Sequence, residues 1–556
     1  MFLLLVTVLL SSLYIYYRSK FSYWSKRNIK HDTPIPLFGN HFRNSCSMIS
    51  LTQLSSELYK KYPNEKVIGY YRWSTPSLFI KDLDIARRIL SMDFGYFYRR
   101  GLGRDPSVEP LLLNLFSVDG DRWKLLRQRL TPAFTTAKLK KMFPLVVECA
   151  EKLQTAGEQI VAQGGEYDVR ELMARFTTEF IGACGFGISM DTISNERSLF
   201  RDLGKMMFSR SLGEIIRFSL WEAFPSLRKK VRVSGHEVED TIKGIVKSIC
   251  EQRNHKPSGR NDFIDLLLDL ETKGKIVGES IERSNDDGTP VPVEMEMDLP
   301  CMAAQVFVFF AAGFETSSSA TSFTLHKLAY NPDVQRKVHA DIDKVMLKYN
   351  NKLCYDAVSE MAYLDMAFKE AMRMFPSLGV LNRVCAKTYE IPDLNIKIDP
   401  GVNIVIPIEA IQNDEKYFDS PEQFRPERFR PEATHERHRY SYLPFGEGPR
   451  ACIGARLGQM QSLAGLAALL HRFRVEPAST SRPELEINPR SNVVQAVRSG
   501  ARLGQMQSLA GLAALLHRFR VEPASTSLAR AGDQPALQLG SRRARGNTIE
   551  VDPAQR

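Results

Sequence analysis

The sequence predicts a large, mainly α-helical domain with a minor β part. From about residue 51 onward apolar residues recur at helical spacing, and β-like runs are few, as in KVIGYYRW, SLFIKD and NIVIPI. A composition of 43% hydrophobic and 25% charged residues is that of an ordinary globular protein. The sequence has no glycine-rich phosphate loop and no alternation of strands and helices, so it lacks the pattern of a nucleotide-binding α/β fold.

The first 20 residues are predicted to be a transmembrane signal anchor. The run MFLLLVTVLLSSLYIYY carries no charge, and basic residues follow it from Arg18 onward. A cleaved signal peptide normally begins with basic residues and ends at small residues, and this segment does neither. Because flanking positive charges stay cytosolic, we expect the body to face the cytosol from the endoplasmic reticulum membrane. Residues 21–45 are basic and contain prolines, which predicts a hinge.

Residues 46–500 are predicted to form one domain. Within it, YNPDVQRKVHADIDKVM predicts a helix that begins at Asn331 and Pro332. Residues 282–297 are polar, contain proline and lack periodicity, so they are expected to form a loop.

The end of the chain contains an internal repeat. Residues 454–481 recur letter for letter as residues 500–527. Two copies confined to one end do not indicate a solenoid. Residues 501–527 are expected to form a duplicated amphipathic helix. Residues 528–556 have no aromatic residue and no sustained periodicity, so we expect a disordered tail.

Charge and cysteine usage narrow the class of partner. The net charge of +11 fits a basic solvated surface, an acidic partner or an anionic membrane. Nucleic acid is not an expected partner, because no zinc-finger, homeodomain or RNA-recognition signature is present. The eight cysteines are scattered without a CxxC pair, which argues against a disulfide scaffold or zinc site and favours a reducing compartment.

One of these cysteines, Cys452, lies in a glycine-rich turn just before an apolar-periodic helix, in PFGEGPRACIGARLGQMQ. A helix start favours a thiolate, and glycines allow the backbone to approach a flat ligand closely. A thiolate held in this way can be an axial ligand of haem iron, and Arg450 could reach a haem propionate. The alternative is a buried structural cysteine. The second copy of the helix has neither the cysteine nor the turn, so it cannot bind a second haem.

A second segment carries polar groups inside an apolar helix. VFVFFAAGFETSSSA places Glu315 and Thr316 after a long apolar run. A threonine in mid-helix can bond the backbone and open room for water or a ligand. The alternative is a helix end or an exposed face.

Three shorter segments add charged or aromatic residues at helical or turn spacing. FKEAMRMFP places Glu370 and Arg373 three residues apart on one helix face, where they can pair. FRPERF supplies Arg428, and DRWKLLRQR places Trp123 and Arg127 four residues apart.

Together these segments resemble the cytochrome P450 superfamily, the haem-thiolate monooxygenases. FGEGPRACIG fits the family's cysteine loop, AGFETS fits its oxygen-activating helix, and KEAMR, PERF and WKLLR fit three further signatures in the right order. The resemblance runs from the anchor to about residue 500. The sequence around these motifs is similar to that of the insect microsomal, xenobiotic-metabolising group. The resemblance implies a cytochrome P450 fold, with one large haem domain behind an N-terminal membrane anchor.

The resemblance also implies a role for each motif residue. Cys452 would be the axial ligand of haem b, whose electron donation favours O–O cleavage. Thr316 and Glu315 would be catalytic and handle protons during oxygen activation. The remaining side chains that would bind the cofactor are Trp123, Arg127, Arg383, Phe445 and Arg450. The buried structural ion-pair network would consist of Glu370, Arg373 and Arg428.

The implied reaction is the insertion of one oxygen atom from O₂ into a lipophilic small molecule, xenobiotic or endogenous. The chain has no flavin or nicotinamide fingerprint, so electrons would come from an NADPH-dependent reductase, with a small haem electron-transfer protein as a further partner. The basic clusters at 127–129 and 138–141 would suit an acidic docking surface. The substrate would be lined by residues 97–115, 206–224, 307–312 and 377–381, and residues 218–227 would contact membrane lipid.

Two alternatives remain open from the sequence. A reductase-independent haem-thiolate isomerase would be a related enzyme, but such relatives usually lose the helix threonine, here Thr316. A haem-binding but inactive or poorly folded relative is the other, because the chain enters the copied helix where the family completes its substrate pocket.

Overall fold

Sixteen α-helices and twelve short strands make up the described part of the chain. The computed structural model describes residues 2–477 except 47, 103–104, 164–165, 189, 261, 393 and most of 194–235, together with residues 518–521 and 537–541. The helices are α1 (Phe2–Lys20), α2 (Phe42–Ser45), α3 (Leu51–Lys61), α4 (Leu83–Arg87), α5 (Gly120–Leu130), α6 (Thr136–Gln163), α7 (Val169–Ile181), α8 (Glu237–Gln252), α9 (Phe263–Thr272), α10 (Leu299–Tyr330), α11 (Pro332–Lys348), α12 (Tyr355–Glu360), α13 (Ala362–Met374), α14 (Ile408–Gln412), α15 (Pro431–Glu436) and α16 (Ala455–Arg472).

The strands are short and form four small sheets among the described residues. They are β1 (Val67–Arg72), β2 (Thr75–Ile80), β3 (Glu166–Asp168), β4 (Ile276–Ser284), β5 (Pro290–Met295), β6 (Leu381–Val384), β7 (Tyr389–Ile391), β8 (Ile396–Ile398), β9 (Asn403–Ile406), β10 (Phe473–Val475), β11 (Arg518–Val521) and β12 (Leu537–Ser541). The mainly helical fold with a minor β part is thus confirmed.

The β-like runs of the sequence form a four-stranded sheet that joins residues 67–80 to residues 381–406. Strands pair in the order β1-β2-β9-β6, with β2 and β9 parallel and the other pairs antiparallel. All six residues of β1 are buried, because the sheet is covered on both faces. The helix predicted from Asn331 and Pro332 is also confirmed, as α11 begins at Pro332 with Asn331 as its N-cap.

Residues 282–297, expected to form a loop, instead complete a two-stranded hairpin. Strands β4 and β5 pair from Ile276 opposite Met295 to Ser284 opposite Pro290. Only a few of its side chains are buried, among them Ile276, Ser280 and Val293. The pattern therefore lacks the apolar alternation of a strand; the hairpin is held by α5, a partner that is distant in sequence.

Helix α10 lies at the centre of the domain and packs against α7, α8, α13 and α16. Gly313 allows the closest approach, since a Cβ there would lie 2.9 Å from Cδ1 of Ile181 on α7. Helix α16 is buried on all sides over residues 461–470, with Leu463, Leu466 and Leu469 at most 3% exposed, whereas Leu457 and Met460 nearer its start are only partly buried. The elements that bear the motif residues therefore share one hydrophobic core.

The predicted membrane anchor lies at the amino-terminal end of the chain. Residues 2–20 form α1, whose described side chains are largely exposed, and the anchor stays a prediction. In the described residues one helix is long and apolar enough to cross a membrane, α10, but half of its apolar window is buried inside the domain.

At the other end, the sequence predicts a helix over 501–527. The structure describes only Arg518–Val521 of this range, and these residues form strand β11 rather than helix, as their counterparts near β10 do in the first copy. Arg518–Val521 and Leu537–Ser541 are strands that join β10 to β3. The latter interrupts the tail expected to be disordered, because Leu537 and Leu539 alternate with polar Gln538 as in a strand. The rest of that tail lies outside the described residues.

Candidate active site

The cysteine loop closes on itself just ahead of α16. The backbone N–H of Cys452 donates to the carbonyl oxygen of Phe445 at 2.9 Å, and that of Ala451 donates to Gly448 at 2.9 Å. Gly446 and Gly448 have φ values of +69° and +79°, which glycine adopts without strain. At Gly448 a Cβ would also collide with the carbonyl of Leu90. The glycines are therefore needed for the path of the loop.

A cavity of about 620 Å³ opens in front of this loop. The cysteine loop, α5 and α10 all contribute to its wall. Seven of the predicted site residues line it, namely Trp123, Arg127, Glu315, Thr316, Phe445, Arg450 and Cys452. The structure thus brings together motifs that lie more than 300 residues apart in the chain.

The thiol of Cys452 is in a mixed environment. Its side chain is exposed to the cavity, but the surrounding protein desolvates it and raises its pKa; the N–H of Gly454 and the charges of Arg100 and Arg127 lower the pKa, and the net direction is upward. The expectation from the sequence considered the helix start but not the burial. A metal cation bound to the sulfur would stabilise the thiolate, because a thiol that coordinates a metal is deprotonated.

Beside the cysteine, three hydrogen bonds hold the guanidinium of Arg450 in place. Its Nε donates to the carbonyl of Tyr98 at 2.6 Å, and its Nη2 donates to the carbonyl of Val118 at 3.0 Å and to Asp119 at 2.8 Å. Its guanidinium also lies 4.4 Å from the centre of the Trp123 ring. Its Nη1 is buried and has no partner in the described part of the chain.

Sequence reasoning missed Arg100, which lines the same cavity. It lies in residues 97–115, which were assigned to the substrate, and no local motif distinguishes it. Its Nη2 donates to the carbonyl of Arg450 at 2.9 Å, and burial lowers its pKa to about 10. Arg383 is buried beside it but does not line the cavity; burial and the charge of Arg100 lower its pKa to about 9.

The arginines around Cys452 provide the positive charge that a haem in this cavity would need. Arg100, Arg127, Arg383 and Arg450 gather positive charge next to Cys452, and burial disfavours such a cluster without anions. The unpartnered Nη1 of Arg450 and Nε of Arg383 add two buried donors. A flat group that carries two carboxylates would pair with these arginines, and a metal that binds thiolates would be held by Cys452. The residues therefore fit haem.

The polar residues of α10 are held inside the cavity wall. The hydroxyl of Thr316 donates to the carbonyl of Ala312 at 2.6 Å, the mid-helix bond expected from the sequence. The carboxylate of Glu315 accepts from Arg170 Nη2 on α7 at 3.2 Å and from Ser319 at 3.4 Å. Arg170, which the sequence did not indicate, therefore orients Glu315.

The predicted ion-pair network is assembled outside the cavity. Arg373 forms a two-pronged pair with Glu370 at 2.8 and 3.1 Å, and Arg428 Nε donates to the same carboxylate at 3.2 Å. All three side chains are at most 3% exposed. Arg373 also donates to the carbonyls of Gln412 and Pro421, so the network joins α13 to the end of α14 and to the loop that follows it.

The predicted substrate segments contribute unevenly to the cavity. Leu112, Leu115, Phe307 and Ala312 line it, as does Leu381 at the end of the last predicted segment. Residues 206–224 and 218–227 fall almost entirely outside the described residues. The substrate and membrane roles of these segments stay predictions.

Comparison with known proteins gives one family. The cytochrome P450 family model matches residues 30–498, and the second copy of the repeated helix begins beyond that range. The chain is 37% identical over 486 residues to cytochrome P450 6B2 of Helicoverpa armigera, covering 87% of this chain and 94% of the relative. It is 37% identical over 511 residues to cytochrome P450 6a2 of Drosophila melanogaster, covering 89% and 97%. It is 35% identical over 489 residues to cytochrome P450 6B1 of Papilio polyxenes, covering 88% and 96%.

The family match, the cysteine loop and the arginine cluster agree on the cofactor and the chemistry. The chain belongs to the cytochrome P450 family, and it is a haem-thiolate monooxygenase, an oxidoreductase whose cofactor is haem.

Proposed function

We propose that this chain uses electrons from an NADPH-dependent reductase to insert one atom of O₂ into a lipophilic small molecule. The second oxygen atom is reduced to water, which requires two electrons from NADPH and two protons. The observation that carries the proposal is that Cys452, Glu315 and Thr316 line one cavity.

Bound haem would supply the oxygen activation, and the thiolate of Cys452 would hold its iron. The chain's own residues then have three tasks. Arg127 and Arg450 would hold the cofactor's carboxylates, while Trp123 packs against the Arg450 guanidinium. Glu315 and Thr316 would hold and deliver protons at the cavity wall. The apolar part of α10 would exclude bulk water.

The lining favours an apolar substrate. Leu112, Leu115, Phe307, Ala311 and Leu381 all contribute aliphatic or aromatic surface to the cavity. Few convergent polar groups in an apolar pocket are typical of sites for small lipophilic ligands. This supports a xenobiotic or endogenous lipophile.

We infer that the body is held at the cytosolic face of the endoplasmic reticulum membrane by residues 1–20. The charge-free run and the basic residues after it support this orientation. Fractionation of cells that express the full chain, with and without residues 1–20, tests it. The anchor is contradicted if removal leaves the membrane-bound fraction unchanged.

The docking surface proposed for the reductase is narrower than the sequence suggested. Arg127 faces the cavity, and Arg129 Nη2 donates to the carbonyl of Val277 in the hairpin at 3.1 Å. The lysines at 138, 140 and 141 lie on α6, whose start is joined to the first turn of α16 by a 3.0 Å bond from Arg456 to Thr136. Lys138 also lines the cavity, but its side chain is exposed. Lys140 pairs with Asp356, but both side chains are at least half-exposed, and such pairs are weak.

Charge reversal tests this surface. Replacing Lys138, Lys140 and Lys141 by Glu should raise the apparent KM for the reductase several-fold and weaken its salt dependence. Lys247→Glu, an exposed lysine on α8, is the matched control and should not change it. A triple variant with the KM and the salt dependence of the wild type would contradict the assignment.

The function itself is tested with purified membranes that contain the full chain. The absorbance spectrum of the reduced, CO-bound protein reports thiolate ligation, and Cys452→Ala should abolish it. NADPH consumption and product formation should then require added reductase. Turnover that proceeds equally well without reductase would instead indicate an isomerase.

A further inference from the structure

Asp119 joins three separate segments of the site. It directly precedes α5, and its Oδ1 accepts from Arg450 Nη2 at 2.8 Å and from the backbone N–H of Arg100 at 2.8 Å. Its Oδ2 accepts from the backbone N–H of Gly101 at 3.1 Å. The Arg450 side chain is 0% exposed and that of Asp119 is 19% exposed, so solvent screens this contact poorly.

Each of the three segments carries a cation to the cavity. The segment around Arg100 supplies that guanidinium, the cysteine loop supplies Arg450, and α5 supplies Arg127. Of the carboxylates in the described part of the chain, Asp119 is the one whose charge raises the pKa of Arg100, Arg383 and Arg450 alike. It is therefore the internal counter-charge of the arginine cluster.

The geometry also explains which donor of Arg450 stays available. Tyr98, Val118 and Asp119 occupy Nε and Nη2, which leaves Nη1 unpartnered in the described structure. Asp119 thus fixes the guanidinium so that one buried edge remains for an anionic ligand. None of the sequence motifs includes this aspartate.

We propose that Asp119 is a positioning residue for the haem, which orients Arg100 and Arg450 toward the cofactor and lowers its reduction potential. A fixed negative charge near the iron favours the ferric over the ferrous form, because the ferric form carries one more positive charge. Loss of that charge should make reduction easier, and loss of the orientation should make haem leave faster.

Asp121 offers a matched control two residues away. Its carboxylate accepts from Ser280 Oγ at 2.8 Å and from the backbone N–H of Ile281 at 2.7 Å, both in the hairpin. Asp121→Asn removes the same charge from the same helix turn and loosens the hairpin, but it leaves every contact of the arginine cluster in place, so it controls for both effects.

The experiment is redox titration of the full chain carrying Asp119→Asn or Asp121→Asn, with the rate of haem transfer to an excess of apomyoglobin as a second readout. We expect Asp119→Asn to favour the ferrous form at least tenfold, a positive shift of about 59 mV for one electron. Haem transfer should accelerate several-fold. Asp121→Asn should change the ferrous-to-ferric ratio less than threefold. Equal potentials and transfer rates in the two variants would overturn the proposal.

Asp119→Glu keeps the test decisive if Asp119→Asn does not accumulate with haem. The longer side chain retains the charge but displaces the carboxylate. A wild-type potential together with faster haem transfer supports the proposal. A shifted potential with unchanged haem transfer contradicts it, because charge and position would then not act as assigned.

Discussion

The guanidinium of Arg170 on α7 lies 3.2 Å from the carboxylate of Glu315 in the middle of α10. The two side chains are only 16% and 15% exposed, and 145 residues separate them in the chain. The pair holds one wall of the cavity against the helix behind it. Arg170 Nε has no partner in the described residues, so the pair is not part of a larger described network on that side.

Arg170→Gln should release Glu315 and lower kcat. A positioned acid or base is worth roughly 100- to 10,000-fold, and a mobile one recovers only part of this, so we expect a loss of about 10-fold. Arg170→Lys, which retains the charge, is the control and should lose less. The measurement is the rate of product formation per haem at saturating substrate; equal rates in both variants and the wild type would show that the pair has no part in catalysis.

The hydroxyl of Thr316 is testable by an isosteric change. Thr316→Val keeps the volume and the β-branch but removes the donor that now bonds Ala312. We expect turnover to fall by about 10- to 100-fold with little change in substrate affinity. Thr316→Ser should restore most of the activity, and a serine variant as slow as the valine one would assign the effect to packing instead.

The network of Glu370, Arg373 and Arg428 should dominate stability. Glu370→Gln leaves two buried guanidinium groups without their carboxylate, and breaking such a pair costs about 3–5 kcal/mol. Urea denaturation of the ferric protein measures this change. Asp365→Asn, on the same helix but 24% exposed and paired with Lys369, should cost about 1 kcal/mol or less. Comparable losses in both variants would refute the role of burial.

Two glycines of the cysteine loop should respond differently to alanine. Both have positive φ, which costs an alanine about 1–2 kcal/mol. Gly446→Ala adds only ordinary contacts, with Leu381 Cδ2 at 3.6 Å. Gly448→Ala also collides with the Leu90 carbonyl, so we expect it to accumulate far less haem-containing protein, measured by the reduced CO spectrum. Equal haem content would mean that the loop can shift.

The residues that sequence alone could identify are those within local motifs. Cys452 and its glycines lie in one short segment, and Glu370 and Arg373 lie three residues apart, so their types and spacing predict their neighbourhood. The central helix was recognisable because Glu315 and Thr316 interrupt an apolar run. Family resemblance then assigned roles that spacing alone left open.

What the sequence could not indicate are partners from distant segments. Arg170 lies in an ordinary helical segment and Asp119 directly precedes one, and only the packing of α7 and the cysteine loop gives them their contacts. The hairpin was missed for the same reason, because its partner α5 begins more than 150 residues earlier. The repeated helix shows that an identical sequence need not carry the same function. Its second copy is not preceded by an equivalent of Cys452, so no second haem site is predicted there.

The hairpin changes how α5 can move. Ser280 and Ile281 bind Asp121 at one end of the helix, and Val277 accepts from Arg129 at the other. Because α5 is fastened at both ends, we expect its termini to fray little and its amide protons to exchange mainly when the hairpin detaches. The two elements should then open as one cooperative unit, so that a polar segment far from the cysteine limits how often this wall of the cavity opens.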